Sequence, residues 1–160
     1  MTLTDGVIEA MECSNAYCNN AQVVVVNKDA VDKYASAEDC ADLAIAVEAG
    51  SAGAQAAEDN GYNYIEVETQ ADAVMEVASG TADACIIDSL MAGAMVGEGT
   101  SYPDLACTTV QLTEEKYGVG FRKGSDLAAT LNDWLKDAYE CGSMEEWAKA
   151  YGTQESLIEQ

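Results

Sequence analysis

Apolar residues change period several times along this chain, from runs and alternations at strand spacing to the three- and four-residue spacing of helices. That switching is the mark of alternating β and α units. Residues 21–26, with valines at 23, 24, 25 and 26, read as a buried strand, and residues 43–47, 64–67 and 85–87 read as three more. A helical stretch is expected after each. Ser36, Ala37, Glu38 and Asp39 have capping character, residues 51–59 are rich in alanine, residues 70–78 place Val74 and Val77 on one face, and residues 89–96 are small and apolar. Gly, Asn, Ser and the single proline, Pro103, mark turns at 60–63 and 97–103. Two further strands are predicted at 108–112 and 116–121. The second alternates Tyr117, Val119 and Phe121 with Gly118 and Gly120, and glycine in a strand points to close backbone approach or a hinge.

Leu127, Leu131, Trp134, Leu135 and Ala138 recur at helical spacing, predicting an amphipathic helix over 125–140 that Gly142 ends from the C′ position. Ser143 and Glu146 have the spacing of a capping box and open a second helix, which carries Met144, Trp147, Ala148 and Tyr151 on one face. Residues 153–160 are expected to fray.

Composition narrows the class. The chain has 160 residues, 49% of them hydrophobic, enough for one domain with a real core. Its formal charge of -22 makes nucleic acid and anionic lipid poor partners; the excess reads most simply as a well-solvated surface, with attraction for cations or a basic partner as the other reading. No stretch approaches the roughly 20 consecutive apolar residues of a membrane-spanning helix, and the first residues lack the pattern of a secretory signal. Six cysteines are scattered, several among apolar residues where a reduced thiol packs as a small hydrophobe. Without histidine or a C-x-x-C pair, a zinc site is rejected, and no motif calls for a cofactor.

Candidate chemistry lies at two strand-to-helix junctions. The strand at 43–47 runs through Gly50, Ser51, Ala52 and Gly53 into a helix, where free backbone amides at a positive helix end can hold an anion. The plainer reading is that Gly50 makes a turn and Ser51 caps the helix. Asp88 ends the strand at 85–87, on the carboxyl edge where open α/β sheets bind ligands; it can pair with an ammonium group or serve as an N-cap. Gln70 either donates to a ligand or opens its helix. Catalytic arrangements that need histidine are excluded, no phosphate-binding Gly-Lys loop is present, and Gly118-Val119-Gly120 lacks the third glycine of a dinucleotide fingerprint. The segment around Gly61 fails as a calcium loop because Ala56 and Val67 fall where carboxylates are required.

Three segments, in order and separation, resemble the type 3 solute-binding proteins that serve ABC importers: Thr69 to Val74 followed by Ser79 to Ala84, then Glu115 to Gly124, then the last two helices. The resemblance implies an α/β, periplasmic-binding-protein-like lobe with a central, mostly parallel sheet, and an extracytoplasmic place of work. It implies two crossing strands at 22–27 and 117–121, with Val26, Asn27, Gly118 and Gly120 at the hinge. Residues 1–20 would be a remnant of the family's first lobe, 21–121 the second lobe with both hinge strands, 122–152 a C-terminal helical pair and 153–160 a tail.

In that family the junction matching Ser51 and Ala52 holds a ligand α-carboxylate and the aspartate matching Asp88 holds the α-ammonium. The implied function is amino-acid capture for an importer permease, without catalysis. Ala52 stands where the family commonly has a second hydroxyl, so one donor is lost. The first five residues align with an internal motif near the end of the first lobe, so the aromatic platform and clamping arginine of that lobe have no match, Arg122 aligning with the hinge exit. Two rival readings follow: a lobe that self-associates through the surface left uncovered and binds nothing, or a cyclohexadienyl-type dehydratase on the same fold.

Overall fold

The computed structural model describes residues 1–160. The chain begins with α1 (Asp5–Ala10), β1 (Glu12–Cys13), β2 (Cys18–Asn20) and β3 (Gln22–Asn27). It continues through β4 (Ile45–Glu48), α2 (Ala52–Asp59), β5 (Tyr64–Val67), α3 (Gln70–Ser79), β6 (Ala84–Asp88) and α4 (Ser89–Met95). The remainder comprises β7 (Leu105–Gln111), β8 (Glu115–Tyr117), β9 (Gly120–Phe121), α5 (Leu127–Glu140) and α6 (Ser143–Ala150). Two compact units divide these elements: Met1–Asn20 with Glu115–Gln160, and Ala21–Glu114.

In the first unit β1 pairs with β9 and β2 with β8, both antiparallel. The strand expected over 116–121 is thus two short strands with different partners, and it stands in this unit instead of with residues 21–114. Its glycines serve close approach: a Cβ on Gly118 would lie 2.8 Å from a Leu3 methyl, and one on Gly120 2.9 Å from Met1 and Met11. Helix α5 forms over the predicted heptad-like face, but only part of that face is covered. Leu135 and Ala138 are buried with Met144, whereas Leu127 and Trp134 are half-exposed. Trp134 stacks on Trp147 of α6 with ring centroids 5.9 Å apart.

Gly142 takes positive φ (82°) after α5, as its C′ position requires, and the same residue caps α6. The capping box does not form. With only Cys141 and Gly142 between the helices, Ser143 already lies inside the first turn, and its hydroxyl is 3.2 Å from the Cys141 thiol. The tail is held where fraying is expected: Leu157 bridges to Cys18, the Ile158 amide donates to Tyr17 O (3.1 Å), and Gln160 Nε2 donates to Ala16 O (2.9 Å). Apolar contact along α6 gives this segment something to pack on, since Tyr17 and Leu157 lie against the Leu135, Ala138 and Met144 cluster.

The second unit is a five-stranded sheet in the order β5-β4-β6-β3-β7. β4 is parallel to β5 and β6, and β3 is antiparallel to both β6 and β7, so four strands run one way and β3 alone opposes them. The mostly parallel sheet is as expected. β3 is buried along five of its six positions because it is interior and covered on both faces. Val23 and Val25 enter one apolar layer with Val74, Val77, Cys85 and Ile87; Val24 and Val26 enter the other with Ile45, Val47, Ala57 and Ile86. Each buried valine contributes on the order of 1.5–3 kcal/mol.

Two expectations shift here. Residues after β3 form 3-10 turns at Lys28–Lys33 and Glu38–Cys40 where a capped helix was expected, and Asp39 accepts the Ala35 and Ser36 amides and the Ser36 hydroxyl. These bonds hold its carboxyl below the ordinary range, the Ser36 hydroxyl contributing most. β7 begins at Leu105, three residues before the predicted strand, where pairing with β3 extends it.

All six cysteines are free, and only Cys40 and Cys85 are buried. Burial pushes the Cys85 thiol up to about 12.

Helix α2 lies close on β6 at Gly53, where a Cβ would sit 2.9 Å from the Ile86 carbonyl oxygen and 3.1 Å from Gln22 Oε1. Backbone of a central strand cannot yield cheaply. Gly53→Ala is therefore expected to lower stability by about 1–3 kcal/mol, outweighing alanine's better helix propensity of about 1 kcal/mol. Chemical denaturation checks this; an unchanged or raised midpoint contradicts the packing.

Candidate functional site

Asp88 is the last residue of β6, and the parallel register Ile45↔Ala84 and Ala46↔Cys85 brings the ends of β4 and β6 side by side. The turn that follows β4 therefore shares the carboxyl edge of the sheet with Asp88, the edge where α/β sheets bind ligands.

The Asp88 carboxylate does not cap α4 with its side chain. Two carboxamides hold it instead, one at each oxygen: Gln22 Nε2 donates to Oδ1 (2.7 Å) and Gln70 Nε2 donates to Oδ2 (2.6 Å). Gln70 closes a second bond, its Oε1 accepting from the Asp88 backbone amide at 3.0 Å. Of the two readings of Gln70, the geometry thus shows an amide turned on Asp88 from the first position of α3. Thr69 fixes that start by accepting the Asp72 amide (3.1 Å) and donating to the Asp72 carboxylate (2.8 Å). Neutral amides leave the negative charge in place while fixing the plane of the carboxylate.

Across the edge, Gly50 turns the chain with positive φ (68°) and Ser51 caps α2, its hydroxyl accepting from the Ala54 amide at 3.1 Å. The capping reading of Ser51 is therefore realised. The amides of Ala52 and Gly53 belong to the first helical turn, which has no intrahelical acceptor for them. Ala52 is an exposed residue in that turn, at the positive end of the helix.

A fixed carboxylate and a helix N-terminus at one sheet edge complement a molecule that carries both an ammonium and a carboxylate. No group of three or more carboxylates and thiols is placed to hold a metal ion.

Gln22 is the site residue that sequence reasoning missed. It is 1% exposed, and its only signal is a polar residue standing before four consecutive valines. The residues assigned to a hinge are dispersed. Val26 and Asn27 end β3 at the edge remote from Gln22, where Asn27 accepts the Asp29 amide (3.0 Å). Gly118 and Gly120 lie in the other unit, and the chain passes between units at Asn20–Ala21 and Glu114–Glu115.

No protein-family profile matches the sequence, and no curated protein does. Solved structures do. An ancestral amino-acid-binding protein, a precursor of cyclohexadienyl dehydratase, is 31% identical with a TM-score of 0.79, over 94% of this chain and 65% of that one. A mutant of ArgBP from T. maritima is 26% identical with a TM-score of 0.79, over 94% of this chain and 66% of that one. AbpA of Streptococcus pneumoniae, an amino-acid ABC transporter substrate-binding protein solved with L-arginine bound, is 19% identical with a TM-score of 0.81 and shows the same fold. The chain spans 65–66% of the length of these structures.

Proposed function

Starting from a chain that carries the fold of the type 3 amino-acid-binding proteins over 94% of its length, we propose that it is the amino-acid-binding lobe of a substrate-binding protein serving an ABC importer. The observation that carries this reading is the Asp88 carboxylate, held at both oxygens by Gln22 and Gln70 on the same sheet edge as the N-terminus of α2. Asp88 receives the α-ammonium of the ligand. The Ala52 amide, with Ser51 holding the helix turn, receives the α-carboxylate. Gln70 acts by orienting Asp88.

Charge narrows the ligand. Between residues 21 and 114 the only basic residues are Lys28 and Lys33, and Lys28 is paired with Asp104. A field of that sign favours a cationic or zwitterionic amino acid over an acidic one. ArgBP and AbpA have structures with arginine bound, which supports the same preference. The reaction is binding and release, with no bond made or broken. An importer permease as partner and work outside the cytoplasm belong to this reading; no helix is long and apolar enough to cross a membrane.

A second observation supports self-association. Trp134 and Trp147 are 52% and 48% exposed and Tyr151 83%, beside an apolar groove of about 220 Å³ lined by Tyr17, Met144 and Leu157. Copies of the chain pair through this face, which hides the aromatic rings from water.

Two outcomes are expected. In calorimetric titrations L-arginine binds and L-glutamate binds more weakly, and Asp88→Asn lowers arginine affinity at least tenfold, since a hydrogen bond to a charged group contributes about 1.5–3 kcal/mol. A folded chain that responds to no amino acid contradicts the binding reading. In sedimentation equilibrium the chain is dimeric and Trp147→Glu shifts it to monomer; a monomeric parent chain at high concentration removes the pairing.

A further inference from the structure

We infer that Gln22 is a positioning residue for ligand capture, fastening Asp88 to the point where both connecting segments enter the Ala21–Glu114 unit. The inference rests on Asp88 as the ammonium acceptor.

Three observations converge on this side chain. First, Gln22 is polar, 1% exposed, and stands directly across from Asp88 in the β3–β6 register. A buried amide persists where its bonds are made, because leaving one unmade costs about 1–3 kcal/mol. One bond it makes is to the site: Nε2 donates to Asp88 Oδ1 at 2.7 Å. Second, the other end of the same amide faces α2, with Oε1 3.1 Å from where a Cβ on Gly53 would lie. One carboxamide therefore spans both halves of the site, the aspartate and the first turn of the helix that offers its amides. Third, the Gln22 backbone is strapped to the second connecting segment. Its amide donates to the Thr113 hydroxyl (2.9 Å), and its carbonyl accepts from the Leu112 amide (2.9 Å). Residue 22 follows the first passage between units, at Asn20–Ala21, and Leu112 and Thr113 precede the second, at Glu114–Glu115.

Gln70 grips the carboxylate at Oδ2 from α3. Gln22 grips Oδ1 from the opposite side, out of a strand that cannot shift without disturbing β6 and β7 together. Its effect on binding passes through Asp88 and appears only for ligands that carry an α-ammonium.

A double-mutant cycle tests this, with Gln22→Met, which keeps an unbranched side chain of similar length, and Asp88→Asn. L-Arginine and 5-guanidinopentanoate, which lacks the α-amino group, serve as probes. Gln22→Met is expected to weaken L-arginine binding about tenfold in the parent chain. The same substitution should change it less than about twofold on the Asp88→Asn background, and leave 5-guanidinopentanoate unchanged. Equal losses on both backgrounds, or an equal loss for both probes, overturn the role.

Unfolding midpoints of the four proteins are measured alongside. If the parent chain binds no amino acid, the functional reading of Asp88 fails separately. Strictly additive midpoints then overturn the Gln22–Asp88 coupling as well, and non-additive midpoints sustain it. Should Gln22→Met fail to fold, Gln22→Glu is read instead. It replaces the N–H donor to Asp88 Oδ1 with a carboxyl that donates only while the pair shares a proton, so arginine affinity should recover as the pH falls through that titration and weaken as it rises. A flat profile overturns the proposal.

Discussion

A carboxylate at the end of a buried strand must find partners or be neutralised, and at Asp88 that demand organises much of the Ala21–Glu114 unit. Removing one partner of a buried charge costs about 3–5 kcal/mol, more than most single contacts contribute to a domain. Half-buried Asp88 bears a discounted version of that cost. It is met by neutral amides, one from β3 and one from α3, which leave the charge intact. An arginine or lysine in their place would satisfy the carboxylate equally well but would compete with an incoming ammonium. Two glutamines hold the group without cancelling it.

Packing follows from the same requirement. For Gln22 to reach Asp88 from within a strand of valines, β3 must lie beside β6, opposing the direction of its neighbours. For α2 to bring its first turn to that edge, the helix must settle on β6, which Gly53 permits by lacking a Cβ. The site is thus a consequence of how three layers close at one sheet edge, and the amphipathic α5 and α6 belong to a unit with its own small core.

Much of this was legible in the chain because it is local. The valine run of β3, the alanines of α2 and the face of α5 announce themselves by period, and the four strands of common direction follow from the β-α alternation. The failures have equally definite causes. Asp88 before a helix reads as a cap because its true partners are 18 and 66 residues away. Ser143 carries a capping signal that Gly142 pre-empts by serving two helices at once. The tail at 153–160 looks unfastened until its partners at Ala16, Tyr17 and Cys18 are seen across the chain. In each case a distant contact overrides a local preference, and Gln22, the residue with the weakest local signal, has the most distant partners of the site.

The central claim is that Asp88 and the turn of α2 act together as one zwitterion site. Backbone and side-chain amide resonances of the labelled chain, followed as L-arginine is added, test it most directly. The account predicts saturable shifts concentrated at Ala52, Gly53 and Asp88 and at the side-chain amides of Gln22 and Gln70, absent in Asp88→Asn. Shifts confined to other residues, or unchanged spectra from a folded chain, would contradict it.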